Sequence, residues 1–238
     1  MKERQREQEK HPPVIGFAGW SGSGKTTLIV DLIPAIREAA SENGTKKLRV
    51  AVIKHDAHGI KLTRVSDPVI GTDTDMYIDT EGKDSWKFRK AGADSVILCG
   101  PEEIFISADK DITEERVESF LKEPADPSGQ IYMKRVTFSA HRGASMLDTA
   151  IRMACDCDLI LVEGFKNGSL PQVGIARKEN GKGFSADPDR FLAVVTDDLG
   201  TAEKCSKPDT EQDIPVFRPD QYRELAAFLL KRMRENNL

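Results

Sequence analysis

A chain of 238 residues, 39% hydrophobic and 31% charged, is long enough to bury a sizeable core, which excludes a disordered or collagen-like class. Its net charge of −4 gives no general attraction to nucleic acid or to an anionic membrane, so neither is an expected partner. No apolar run approaches the roughly 20 residues that span a bilayer, and "MKERQREQEKHPP" carries no hydrophobic segment after its charges, so the expected location is the cytoplasm.

In chain order, residues 1–12 read as a disordered charged arm, and residues 13–238 as one domain with insertions near 59–78 and 124–143. "VIGFA" predicts a strand, the stretch from about Thr26 to Ala40 a helix, and "LRVAVIK" a second strand, the βαβ rhythm of a parallel sheet. Asn43-Gly44 ends the helix, and Pro34 inside it is expected to kink it or loosen one hydrogen bond. The polar stretch His55 to Lys83 is too long for an ordinary connection. "SWKFRKA" predicts a helix capped by Asp84 or Ser85 and stopped by Gly92, followed by "DSVILCG" as a strand. "DITEERVESFLK" predicts a helix with Asp111 and Glu114 in capping-box positions, and "IYMKRVTFSAHRG" a strand or hairpin arm. A helix from about Ser145 to Ala154 precedes "LILVEGF", apolar without alternation and so a fully buried strand. "QVGIAR", "FLAVVTDD" and "IPVFRP" predict three short strands. The closing "DQYRELAAFLLKRMRENN" predicts an amphipathic helix with Leu225, Phe228 and Leu229 inward.

The stretch "GWSGSGKTT" carries the chemistry. Gly19, Gly24, Lys25 and Thr26 fit G-x-x-x-x-G-K-[ST] between a strand and a helix, the context in which that spacing forms a phosphate-binding loop. Glycines let the main chain curl with its N–H groups inward, and Ser21, Gly22, Ser23 and Thr27 belong to the same cradle. The helix N-terminus already favours an anion. Lys25 then adds a charge toward the β- and γ-phosphates, and the Thr26 hydroxyl a ligand for Mg2+.

Such a loop needs an acidic partner at the end of a neighbouring buried strand, and "LILVEGFK" supplies Glu163, either as a metal ligand through water or to orient an attacking water. His55, Asp56 and His58 follow the second strand, at the sheet end where α/β folds bind ligands. Asp197 and Asp198 close another strand, where a carboxylate accepts from guanine N1–H and its amino group; this leans toward GTP over ATP. Lys87, Arg89 and Lys90 make one short helix basic, a solvated face by default. Among Cys99, Cys155, Cys157 and Cys205, "CDCD" lacks zinc-site spacing, so reduced thiols are expected.

Taken in order, "FAGWSGSGKTTL", "VIKH", "GKDSWKFRKAGA", "DLILVEGFK" and "AVVTDD" resemble the molybdopterin-guanine dinucleotide biosynthesis adaptor family, over Val14 to about Asp198. The resemblance implies an α/β P-loop NTPase fold with a mostly parallel sheet flanked by helices. It also implies GTP and Mg2+ binding with slow hydrolysis at most, a homodimer, and a partner, the guanylyltransferase that joins GMP to molybdopterin. The alternative is a small-molecule kinase, with an acceptor pocket in the insertions and Asp56 or Glu163 as base. A dimeric switch NTPase ranks below both, because the place of its trans-acting lysine, directly after the first loop glycine, is held by Trp20.

Overall fold

The computed structural model describes residues 12–42, 44, 47–57, 60, 63–65, 76–78, 82–109, 131–137, 145–154, 156–165, 169–186, 190–205 and 214–235. The arm of residues 1–11, the helix expected over "DITEERVESFLK", His58 and most of both insertions lie outside these residues.

Apolar runs bounded by turn residues become the strands β1 (Val14–Gly19), β2 (Val50–His55), β3 (Thr63–Val65), β4 (Met76–Ile78), β5 (Ser95–Cys99), β6 (Glu103–Asp109), β7 (Ile131–Thr137), β8 (Leu159–Glu163), β9 (Gln172–Ala176), β10 (Phe191–Thr196) and β11 (Val216–Phe217). The helices are α1 (Lys25–Glu42), α2 (Asp84–Lys90), α3 (Met146–Met153), α4 (Leu199–Cys205) and α5 (Tyr222–Arg234). Nine strands form one sheet in the order β11-β10-β9-β1-β8-β2-β5-β6-β7, and β3 pairs with β4 in a small separate ladder. From β11 to β5 every pairing is parallel, while β6 and β7 extend the sheet antiparallel. The strand that feeds the glycine loop is therefore central, flanked by β8 and β9.

The period of two along a strand sorts side chains between two cores. Val50 and Val52 of β2 and Leu159 and Leu161 of β8 face α1 and α5, joining Leu32, Ile36, Leu225 and Leu229. Their neighbours Ala51, Ile53, Ile160 and Val162 face α3, joining Ala150 and Ile151. Burial on both faces leaves no polar alternation in these strands, hence their unbroken apolar sequence.

Several local expectations change. α1 continues to Glu42 through Pro34, whose missing N–H leaves one helical hydrogen bond unmade as expected, and Gly44, at φ +73°, follows it. α2 begins at Asp84, and Lys83 holds its N-cap position without a side-chain hydrogen bond, because Asp84 turns to lysines instead. Gly92 stops that helix as expected, at φ +100°. Ser145 caps α3 by accepting the N–H of Asp148 at 3.0 Å. Phe228 of α5 is only partly buried and packs on Phe217, while Ala226 and Leu230 join Leu225 and Leu229 inside.

Strand β6 and helix α4 went unpredicted. β6 follows the Gly100-Pro101 turn, in which the Gly100 N–H donates to Glu103 O at 2.8 Å, and it buries Ile104, Phe105, Ile106 and Ala108. Asp94 fastens the edge of the parallel region. It is 2% exposed, pairs with Arg37 and Lys47, and accepts the N–H of Val50 at 2.8 Å.

Candidate nucleotide and metal site

The loop between β1 and α1 leaves the sheet at its carboxyl edge, where main-chain groups are free of the ladder. Gly22 and Gly24 take φ of +77° and +85°, so the chain reverses there in a conformation costly for residues with a β-carbon. Gly19 is needed for space instead, since a Cβ there would meet Ser23 Oγ at 2.4 Å and Ile175 O at 2.9 Å. Ser23 N–H donates to Trp20 O at 3.1 Å, closing the curl. The first α1 hydrogen bond reaches Gly24 O from Leu28 N–H at 2.9 Å, so the amides of Lys25, Thr26 and Thr27 have no carbonyl one turn below them in the helix. Lys25 Nζ donates to Gly19 O at 3.0 Å and Trp20 O at 2.9 Å, which folds its ammonium back across the loop.

Register places the acid. Glu163 ends β8 opposite Phe17 of β1 and Lys54 of β2. It is 6% exposed, and both its oxygens accept from the Thr26 hydroxyl, at 3.2 and 3.1 Å. Lys54 Nζ lies 3.6 Å from Glu163 Oε2 and also pairs with Asp84, which in turn holds Lys87 at 3.4 Å. A buried carboxylate is thereby neutralised by a partly buried ammonium, as its environment requires. Burial alone pushes the Asp84 carboxyl up, but the hydrogen bond and charge of Lys54, then of Lys87, outweigh it and hold the group below its ordinary value. The sequence signal for Lys54 is a lysine next to the end of an otherwise apolar strand.

A hydroxyl and a carboxylate meeting at the foot of a phosphate-type loop form a donor set of hard oxygens, which suits Mg2+. Thr26 and Glu163 would hold the ion; when bound it would neutralise phosphate charge. Gly164 supports the placement of Glu163. It sits at φ +97°, and a Cβ would meet His55 O at 2.9 Å, so the chain leaving β8 passes close against β2. His55 packs on Phe165 with ring centroids 5.0 Å apart, and Asp56 N–H donates to Cys99 O at 2.8 Å.

On the other side of the loop lies a cavity of about 320 Å3, walled by Gly24, Thr27, Asp31, Arg177, Val195 and Pro219 among others. Burial raises the pKa of Asp31. The turn after β9 leans over the loop, with Trp20 Nε1–H donating to Gly183 O at 3.0 Å and Lys182 Nζ 5.2 Å from the centre of the indole. Asp197 is engaged here too: Oδ1 accepts the N–H of Lys178 at 2.8 Å, and Oδ2 lies 3.0 Å from Arg177 Nε. Asp198 serves α4, accepting the Thr201 hydroxyl at 2.5 Å, a bond that lowers the pKa of its exposed carboxyl. The two adjacent aspartates therefore have different duties. The sequence signal for Arg177 is position: it directly follows a parallel strand at the ligand-binding edge.

Among the described residues no helix is long and apolar enough to cross a membrane. The family model for molybdopterin guanine dinucleotide synthesis protein B matches residues 14–133 and 128–197. The molybdopterin-guanine dinucleotide biosynthesis adapter protein of Haemophilus influenzae is 31% identical over 184 residues, covering 77% of this chain and 74% of that protein. The Escherichia coli adapter protein is 28% identical over 228 residues, covering 94% of this chain and 95% of its own. A crystal structure of molybdopterin-guanine biosynthesis protein B aligns over 93% of this chain and 99% of its own, at 25% identity and a TM-score of 0.43. The family match takes in the glycine loop, Glu163 and the end of β10 alike, and with a relative above 30% identity across most of both proteins it places the chain in the molybdopterin guanine dinucleotide synthesis protein B family.

Proposed function

We propose that the protein binds GTP with Mg2+ on the loop of residues 19–27 and serves as an adaptor in molybdopterin guanine dinucleotide synthesis, assisting the guanylyltransferase that joins GMP to molybdopterin. The observation that carries the nucleotide reading is the seating of the Thr26 hydroxyl on the buried Glu163 carboxylate, directly below the lysine of a glycine loop. An isolated glycine turn has no need of an acid aimed at its threonine.

In this reading the amides at the start of α1 and the Lys25 ammonium take the β- and γ-phosphates, and Lys25 exchanges its two carbonyl contacts for phosphate oxygens. Thr26 and Glu163 hold the cation, while Lys54 keeps Asp84 as partner when Glu163 turns to the metal. Asp197 serves the base end. Hydrolysis is slow at most: with Glu163 engaged by the cation beside the Thr26 hydroxyl, it is poorly disposed to activate water. The adaptor role is supported by the two adapter relatives, and the family likeness is what favours a homodimer.

The test has two arms. Calorimetry should give GTP binding that strengthens with Mg2+ and exceeds ATP binding; no binding of either nucleotide would reject the site. A pull-down with the guanylyltransferase at micromolar concentration, coupled to an activity assay, should give a complex or stimulation, and neither would reject the adaptor role.

A further inference from the structure

The cavity beside the glycine loop is walled by Arg177, with Asp197 holding that arginine from behind. Two features set the pair apart. Both oxygens of Asp197 face protein donors, the Lys178 N–H at 2.8 Å and Arg177 Nε at 3.0 Å, so this carboxylate anchors the arginine and the turn after β9. Arg177 Nε is turned to that carboxylate, while the side chain as a whole stays 29% exposed, which leaves the outer guanidinium nitrogens for other partners. Arg177, held at Nε by Asp197, stands in the wall of a cavity of about 320 Å3 that opens next to Gly24 and Thr27, where its outer nitrogens are placed for an acceptor on a ligand.

We propose that Arg177 is the residue that selects guanine, its guanidinium donating to O6 and N7 of the base, and that Asp197 is a positioning residue that fixes the arginine. This rests on the nucleotide reading above. The chemistry discriminates because guanine offers two acceptors on that edge, which a planar guanidinium matches as a fork, whereas adenine replaces O6 with an amino donor that faces the arginine with like polarity. The location agrees: Arg177 directly follows β9 and Val195 lies in β10, the two strands beside β1 on the side away from Glu163, so phosphates and base would lie on opposite sides of the α1 start.

Inosine triphosphate separates the two ways of reading guanine, since it keeps O6 and N7 but lacks the 2-amino group that a direct Asp197 contact would use. Binding of GTP, ITP, ATP and inorganic tripolyphosphate should be measured by calorimetry on the wild type, Arg177→Ala, Arg177→Lys, Asp197→Asn and Lys25→Ala, with a thermal melt of each variant. The expected order is GTP close to ITP and both at least about tenfold tighter than ATP. Arg177→Ala should bring GTP and ITP to the ATP level and leave tripolyphosphate unchanged. Arg177→Lys should recover only part of the selectivity, and Asp197→Asn should erode the GTP-to-ATP ratio without altering tripolyphosphate binding. ITP binding ten times weaker than GTP, or an unchanged GTP-to-ATP ratio in Arg177→Ala, overturns the assignment while leaving the phosphate site standing. Absence of tripolyphosphate and GTP binding to the wild type, or full retention of both by Lys25→Ala, removes the nucleotide reading and this assignment with it.

Discussion

Lys25 and Thr26 are neighbours with separable duties. Lys25 lies across two loop carbonyls, which in the proposed reading it trades for phosphate oxygens, whereas the Thr26 hydroxyl is turned to Glu163. Lys25→Ala should therefore weaken GTP binding by at least about tenfold with or without Mg2+, because it removes charge-assisted contacts. Thr26→Ala should instead diminish the gain in affinity that Mg2+ confers, and a calorimetric titration at two Mg2+ concentrations tells these patterns apart. Lys54 presents a different case, since it neutralises Glu163 from within the fold. Lys54→Met should lower stability by about 3 kcal/mol in urea titrations, leaving a buried carboxylate without its ammonium. The same variant should gain more in Tm from added Mg2+ than the wild type, because the ion restores the missing positive charge.

Elements hold the site by close approach. β9 and β10 pair around Gly174, over which the Phe191 ring lies so near that a Cβ would meet it at 2.4 Å. Gly174→Ala should cost about 2–3 kcal/mol in urea-induced unfolding, by forcing apart two strands that wall the cavity. The same elements show what a linear reading can reach. The strand, loop and helix around Gly19 to Thr26 were legible because glycine spacing, apolar runs and a following helix are local patterns, and Glu163 was legible as the end of an apolar strand. Strand β6 escaped because "EIFISAD" is short and gains its role from pairing with β5 and β7. The cap expected from Asp84 failed for a related reason: the carboxylate found stronger partners in lysines of β2 and of its own helix.

For the molecule as a whole, burial governs reactivity and acid response. Burial pushes the Cys99 and Cys157 thiols up to about 12, with nearby aspartates adding to the shift at Cys157. Iodoacetamide at pH 8 should leave both unmodified in the native protein and label them in urea, as peptide mapping by mass spectrometry would read. Asp84 sets an opposite pH dependence. Its carboxyl is lowered in the fold from an ordinary value of 3.8, so its contribution is fully present above that value and is lost as pH falls through the lower folded one. Stability should decline from about pH 4 downward, and less steeply in Asp84→Asn, as followed by thermal melts across pH.

What the amino-acid order determined by itself is the phosphate-type loop, the parallel α/β architecture and the family, because each is written in short-range spacing and in the period of hydrophobicity. Only the tertiary structure decided which charges meet. Lys54 reaches Glu163 because β2 and β8 are register partners 109 positions apart, and Arg177 reaches Asp197 because β9 and β10 lie side by side. Electrostatic partnership depends on distance through space and on the exclusion of water, and neither is a property of position along the chain.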